Sequence, residues 1–273
     1  MRGFIGFFKR QSYIFLFILL EAFSFYLIVA NSNFQRTVFH SVLMEINGGF
    51  FSVMKDARNF FLLRSANDAL AKENAILKEQ LESSYFKALH PLDSSQYDTV
   101  YYQMYSYIPA TVISNSTDNK ENYVLLDAGR NSGVEEDMAV ITSDGIVGIV
   151  KRVSPHFATV VSVLTEGNRV SAKLSGHNYI GAVMWDGFRY DEALMVDIPS
   201  HIPVHVGDKI ETSGYSLAFP KGIPVGTVSE ILTDNVSDFH TLKIKFSQNY
   251  KRLNKVYVVK NIYAKELKFL QGE

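Results

Sequence analysis

Residues 123–150, YVLLDAGRNSGVEEDMAVITSDGIVGIV, decide the fold, because most of this stretch returns later in the same chain. Val124-Leu125-Leu126-Asp127 reappears 70 residues on as Leu194-Met195-Val196-Asp197, and Ala139-Val140-Ile141-Thr142-Ser143 reappears at the same offset as Lys209-Ile210-Glu211-Thr212-Ser213. Ile146-Val147-Gly148-Ile149-Val150 then matches Pro224-Val225-Gly226-Thr227-Val228 at an offset of 78, because the second copy inserts a loop from Tyr215 to Gly222. Phe157 to Leu164 against Phe239 to Phe246 continues the likeness at an offset of 82. Self-similarity of this kind marks one structural unit built twice.

The units read as β. From residue 104 onward, short β-branched runs alternate with Gly, Asn, Asp and Pro, the pattern of an all-β barrel or sandwich. Six strands are predicted in the first copy, near 108–114, 123–128, 138–143, 146–153, 157–164 and 168–174. The second copy has them near 179–185, 193–198, 209–213, 224–231, 239–246 and 255–262. Closing six strands removes exposed edges, so each copy predicts a small barrel filled by its own side chains. The barrels fall at 104–175 and 176–263, with a C-terminal tail at 264–273. Alternation fixes the buried face of a terminal strand and not its neighbour, so exchange of the last strands between copies stays open.

Working outward, the 273-residue chain carries 27 basic and 28 acidic side chains, a net charge of −1. That balance removes the electrostatic footprint of generic nucleic-acid binding. With no Cys, a disulfide scaffold, a thiol nucleophile, a thiolate metal site and a lipidated-Cys anchor are excluded. A hydrophobic share of 47% against 20% charged residues describes a folded chain and not a disordered one.

The apolar residues are unevenly spread, with 13 of the 20 Phe in residues 1–61. Tyr13 to Ala30, YIFLFILLEAFSFYLIVA, holds one ionisable group in 18 residues, about 27 Å as a helix and close to a hydrocarbon core. It predicts a single transmembrane anchor at 13–30. The run exceeds a signal-peptide apolar region, and Ile28-Val29-Ala30 is a poor cleavage site. Arg2, Lys9 and Arg10 make residues 1–12 a basic cytoplasmic tail, and everything after Ala30 then lies outside, periplasmic in a bacterium. Glu21 sits within the span. Either it meets a polar group on a neighbouring membrane protein, or it is protonated and faces lipid or its twin in a dimer.

After a juxtamembrane linker at 31–59, a heptad pattern begins. Leu63, Leu70 and Leu77 recur every seven residues, interleaved with Asn67, Asn74 and Leu81. Leu at d positions with Asn at a positions favours a parallel two-stranded coiled coil of fixed register, placed here at 60–88 and ended by His90-Pro91. The competing arrangement is one amphipathic helix docked on its own domain. Residues 97–107 then hold five of the fifteen Tyr. Tyr101 and Tyr105 are candidates for a contact surface, against the alternative of a lead-in strand with alternate rings buried.

Tandem six-stranded barrels also invite comparison with chymotrypsin-like proteases. Such an enzyme needs His and Asp in the first barrel and a Ser in a Gly-Asp-Ser-Gly turn of the second. The first copy offers His156 with no later Asp, and Ser213 lies in Glu211-Thr212-Ser213-Gly214 with Ser143 as its repeat counterpart. No catalytic residue is assigned, and the chain is not predicted to be an enzyme. His201 and His205 flank Pro203 in a loop instead of forming a helical metal pair. No metal or cofactor is predicted. In the inserted loop, Tyr215, Leu217 and Phe219 are candidate partner contacts; for Phe219 the alternative is a ring folded onto its own barrel.

Three motifs carry a family likeness. They are Asn67-x-x-Leu70-x-x-Glu73-Asn74-x-x-Leu77; the run Leu125 to Val150 with Gly129, Gly133-Val134, Met138-Ala139-Val140 and Gly145-Ile146-Val147-Gly148; and Thr212-Ser213-Gly214 followed by Phe219-Pro220-Lys221-Gly222-Ile223-Pro224-Val225-Gly226. With the anchor, the coiled coil and the twin barrels, the chain resembles the MreC family of rod shape-determining proteins over its whole length. That resemblance implies a non-enzymatic, self-associating scaffold of bacterial cell elongation and peptidoglycan synthesis. It also implies work with MreD, MreB filaments, a RodA-type glycosyltransferase and a class B penicillin-binding transpeptidase. A membrane-fusion-type adaptor of an efflux or secretion system is the rival, since it too joins an anchor, a helix and β domains.

Overall fold

The structure is a computed structural model that describes residues 12–31, 62–93, 96–176, 179–232 and 239–272. The proposed cytoplasmic tail and nearly all of the juxtamembrane linker lie outside the described residues. The chain divides into two units, Met1–Asn67 and Asp68–Glu273.

In the first unit, helix α1 runs Ser12–Asn31. Its described side chains, Tyr13 to Leu27 with Glu21 among them, are exposed. A 20-residue helix is about 30 Å long. Among the described residues, no helix is long and apolar enough to cross a membrane.

In the second unit, two closed barrels carry the fold. One has the strand order β14-β3-β4-β7-β6-β5, and the other β10-β13-β12-β11-β8-β9. The first is built from β3 (Tyr105–Asn115), β4 (Tyr123–Leu126), β5 (Ala139–Ile141), β6 (Ile146–Val153), β7 (Ala158–Ser162) and β14 (Lys255–Asn261). The second holds β8 (Val170–Leu174), β9 (Ile180–Met184), β10 (Glu192–Pro199), β11 (Lys209–Thr212), β12 (Pro224–Leu232) and β13 (Phe239–Phe246).

Each barrel therefore takes five strands from its own copy of the repeat and its sixth from the other. The exchange left open above is realised, and 104–175 and 176–263 are not separate bodies in space. β14 pairs with β3 in seven-residue register, from Lys255 opposite Thr111 to Asn261 opposite Tyr105, and with β5 on its other side. β8 enters the second barrel against β11, where Lys173 lies opposite Glu211 and the two side chains form an ion pair at 3.1 Å, Lys173 nearly buried and Glu211 partly so.

Register defects repeat with the sequence. The ladder between β6 and β7 shifts between Val150 and Arg152, and that between β12 and β13 shifts at the matching Val228 and Glu230. Gly148 and Gly226, matched by the repeat, sit where a side chain would strike the neighbouring strand: an added Cβ would lie 2.1 Å from the Val161 carbonyl oxygen or 2.4 Å from that of Lys245. Bulge and glycine together bend the sheet closed at equivalent corners.

The first barrel has its own core around Val124, Leu126, Val140, Val150, Val160 and Val258. The larger core fills the second barrel and runs through the junction, joining Ile141, Ile146 and Tyr257 to Phe246, Tyr250 and Phe219. Tyr250 is wholly buried, its ring edge-on to Phe246 at 5.1 Å and its hydroxyl donating to the Ile146 carbonyl at 3.0 Å. With two shared strands and this core, the barrels form one packed unit.

The helical segment before them spans 62–79 among the described residues and stops short of His90-Pro91. Its end is set by Ser84, whose hydroxyl donates to the Lys78 carbonyl at 2.7 Å within a 3-10 turn at Glu82–Ser84. Residues assigned above to the end of the coiled coil instead enter β1 (Tyr85–Asp93), which pairs with β2 (Gln96–Gln103) as a two-stranded hairpin. Leu81 accordingly lies in the turn and not on the helix. At the hairpin base, Phe86 stacks on Tyr102 at 5.2 Å and meets Tyr263 edge-on at 5.5 Å. Near the end of the chain, Ala264–Gln271 form a short helix, αC.

Candidate partner-binding surfaces

The heptad helix has two faces of different character. Ala71 and Ala75 are buried, Ala75 within the larger core. Around them, Asp68 pairs with the Lys255 ammonium, which also donates to the Thr111 hydroxyl at 2.9 Å. Glu79 accepts the Tyr107 backbone N–H at 3.2 Å, and the Lys78 ammonium lies 5.4 Å from the Tyr257 ring centre. Burial pushes the Lys78 pKa down. Docking on β3 and β14 is thus built from small residues and polar clasps.

The leucine seam lies on a neighbouring face and stays in water, with Leu70 57% and Leu77 52% exposed. Leu63 and Asn67, which fall in the first unit, are exposed too. Asn74 is exposed and its amide donates to the Leu70 carbonyl at 2.9 Å, a local bond that leaves the seam open. The two arrangements weighed from sequence are therefore compatible: one face is docked, and another presents the heptad.

The inserted loop divides its three candidates. Tyr215 is 79% exposed, Leu217 is half-buried, and Phe219 is 2% exposed within the large core. Phe219 is corrected from partner contact to core side chain. Thr212 is the cause, since its hydroxyl donates to the Pro220 carbonyl at 2.5 Å and accepts the Ile223 N–H at 2.9 Å, folding the loop back onto the barrel. Tyr105 is corrected likewise. It is buried at the start of β3, where desolvation, with a contribution from Tyr107, pushes its phenol up to about 12. Tyr101 is exposed, its ring 5.5 Å from the Lys87 ammonium.

Tyr215 and Leu217 border a groove of about 800 Å³, closed on its other sides by Glu135 to Met138, Ile149, Lys260 to Ile262 and αC. Its rims are clasped across by Lys265 to Glu135 at 3.1 Å and Lys268 to Asp137 at 2.6 Å. The Asn261 amide donates to the Leu217 carbonyl at 2.9 Å and holds the loop against β14.

The residues tested as catalytic do not converge. Ser213 is buried, with its hydroxyl 2.8 Å from that of Ser171, while His156 is exposed in a turn beside Phe157. Among the described residues, no group of three or more His, Asp or Glu is placed to hold a metal ion.

Two closed six-stranded barrels that exchange a strand, preceded by a helix with exposed leucines, define a tandem-barrel protein. The family described as "Rod shape-determining protein MreC, barrel core" matches residues 112–260, more than half of the chain. The chain belongs to the MreC family. It is 34% identical to the cell shape-determining protein MreC of Listeria monocytogenes over 197 residues, 70% of this chain and 61% of that protein. It is 28% identical to the Bacillus subtilis MreC over 243 residues, 82% of this chain and 80% of that one. The solved structure of the Listeria MreC aligns with a TM-score of 0.51 at 30% identity, covering 77% of this chain and 94% of that one.

Proposed function

We propose that this protein is a membrane-anchored, self-associating scaffold of the bacterial cell-elongation machinery, acting on cell-wall synthases without catalysing a step itself. Membership of the MreC family of cell shape-determining proteins supports elongation over the efflux or secretion adaptor. In this reading 13–30 crosses the inner membrane with residues 1–12 in the cytoplasm. Glu21 is then available to a polar group of a polytopic partner such as MreD, and the barrels stand in the periplasm.

The observation that carries the reading is the two-faced helix. Ala71 and Ala75 dock on the barrels, and the opposite side offers Leu70 and Leu77 for pairing with a second copy. Confinement to a membrane raises the effective concentration of such chains toward one another and toward anchored synthases. A RodA-type glycosyltransferase or class B transpeptidase would be activated to the extent that its active conformation binds the scaffold better than its inactive one. MreB filaments would be coupled through the cytoplasmic side.

The test is replacement of the chromosomal copy by one carrying Leu70→Lys and Leu77→Lys. Loss of rod shape, with barrel stability unchanged and chemical cross-linking of pairs abolished, is expected. Normal rods from a strictly monomeric variant would refute the self-association part, and rod shape in a null strain would refute the whole.

A further inference from the structure

Helix αC is fixed at its root and held by charge along its arm. At the root, the Ile262 N–H donates to the Met104 carbonyl at 2.9 Å, the Tyr263 N–H donates to Asn261 Oδ1 at 3.0 Å, and the Tyr263 ring meets Phe86 edge-on. Along the arm, none of the described side chains is buried. Ala264, Leu267 and Lys268 are half-buried, while Phe269 and Leu270 are 80% and 73% exposed. At eight residues, αC is also shorter than the roughly 12–15 that an isolated helix needs in water. Neither buried packing nor helix propensity holds it in place.

Ion pairs do. Lys265 reaches Glu135 at 3.1 Å, Lys268 reaches Asp137 at 2.6 Å, and Glu135 also lies 3.8 Å from Lys260 of β14. All five side chains keep contact with water, so each pair is weak and open to screening by salt.

The backbone at Asp137 marks the latch as a built contact. Its φ is +65°, in the left-handed region that favours glycine. The repeat matches it with Gly207, at φ +98°. The corner is otherwise the same in both copies: the Asp137 N–H donates to the Val150 carbonyl at 2.9 Å, and the Gly207 N–H to that of the matching Val228 at 2.8 Å. Glycine thus suffices for the corner, and the aspartate adds a carboxylate that meets Lys268. Strain kept at one corner and absent from its twin points to a use for the side chain.

We propose that αC is a reversible strap: lysine–carboxylate pairs latch it as one wall of the groove beside Tyr215, and its release opens the groove to Ile149 within it while the barrels stay unchanged. Full-length protein in lipid nanodiscs is followed by amide hydrogen exchange at salt concentrations from about 0.05 to about 0.5 M, for wild type, Asp137→Asn and Asp137→Gly. Because the chain has no Cys, Ile149→Cys, alone or with Asp137→Asn, reports access to the groove through its rate of reaction with an uncharged polyethylene glycol maleimide.

In wild type, αC amides are expected to exchange about fivefold faster at high salt, and in Asp137→Asn about threefold faster at low salt, as the loss of weak exposed pairs dictates. Barrel amides should not change. Asp137→Gly should release αC to the same extent while keeping or raising the thermal midpoint of the barrels, a split that a merely damaged corner would not give. Reaction at Ile149→Cys should rise in step with release. Salt-independent exchange of αC, or tight protection of αC in both Asp137 variants, would overturn the latch. So would αC amides that are already unprotected in wild type at low salt. Release without faster reaction at position 149 would overturn the opening of the groove.

Discussion

Ala75 and Leu77 stand two residues apart on one helix, yet Ala75 is 4% exposed and Leu77 is 52% exposed. Two residues are about 200° of helical rotation, so one side chain faces the barrel and the other faces away from it. The helix is thereby committed on one side and available on another, and substitutions on the two sides should separate. Leu70→Lys with Leu77→Lys is expected to leave the thermal midpoint of the barrels unchanged and to shift sedimentation from dimer to monomer. Ala75→Glu should instead destabilise by about 2–4 kcal/mol in urea unfolding, because it forces a charge into the docked face.

The asparagines at the seam should govern order at the expense of strength. A polar residue at an a position restricts a coiled coil to two strands in one register at some cost in stability. Asn67→Leu with Asn74→Leu is therefore expected to raise the melting temperature of the assembled form and to populate trimers or larger species in analytical ultracentrifugation. Dimers alone, unchanged in stability, would remove both residues from the interface.

The exchanged strands should make the two copies of the repeat inseparable. Residues 104–175 alone lack β14, which supplies the ladder for both β3 and β5. That fragment is expected to be unfolded by circular dichroism and amide exchange, while residues 68–272 fold cooperatively. Within the exchange, Glu211→Ala leaves Lys173 largely buried without its partner. It should cost about 1–3 kcal/mol, less than for a fully buried pair because both side chains keep some contact with water. Replacing both residues by Met should cost much less, and a double-mutant cycle measures the difference.

Sequence made the barrels readable and hid their wiring for one physical reason. Short β-branched runs at 168–174 and 255–262 state that these segments are strands, and Gly148 with Gly226 marks where the sheet must bend. Neither feature says whose neighbour a strand becomes; that depends on long-range pairs such as Lys173 with Glu211. The helix end was misplaced because Pro91 is a strong local stop, whereas the Ser84 bond to the Lys78 carbonyl is a weaker signal in Ser83-Ser84. Phe219 looked exposed because it lies in an insertion, but the Pro220-Lys221-Gly222 turn and the Thr212 hydroxyl fold the insertion inward.

The same burial gives an alkaline signature. Tyr105 is pushed up to about 12 by desolvation, and Tyr107, Tyr250 and Tyr257 are shifted upward chiefly by burial. In the unfolded chain these phenols ionise near pH 10, while the folded protein keeps them protonated. Between those values the native state binds more protons than the unfolded state, so stability falls as pH rises. Below about pH 10 the contribution is complete; for Tyr105 it is lost as pH climbs toward about 12. Urea midpoints are thus expected to be flat with respect to these groups from pH 7 to about 9 and to drop steeply above about 10. Tyr105→Phe, which has no phenol to ionise, should lower the starting stability slightly and flatten the alkaline drop. An equally steep drop in Tyr105→Phe would show that the desolvation at the start of β3 is not what holds this group protonated.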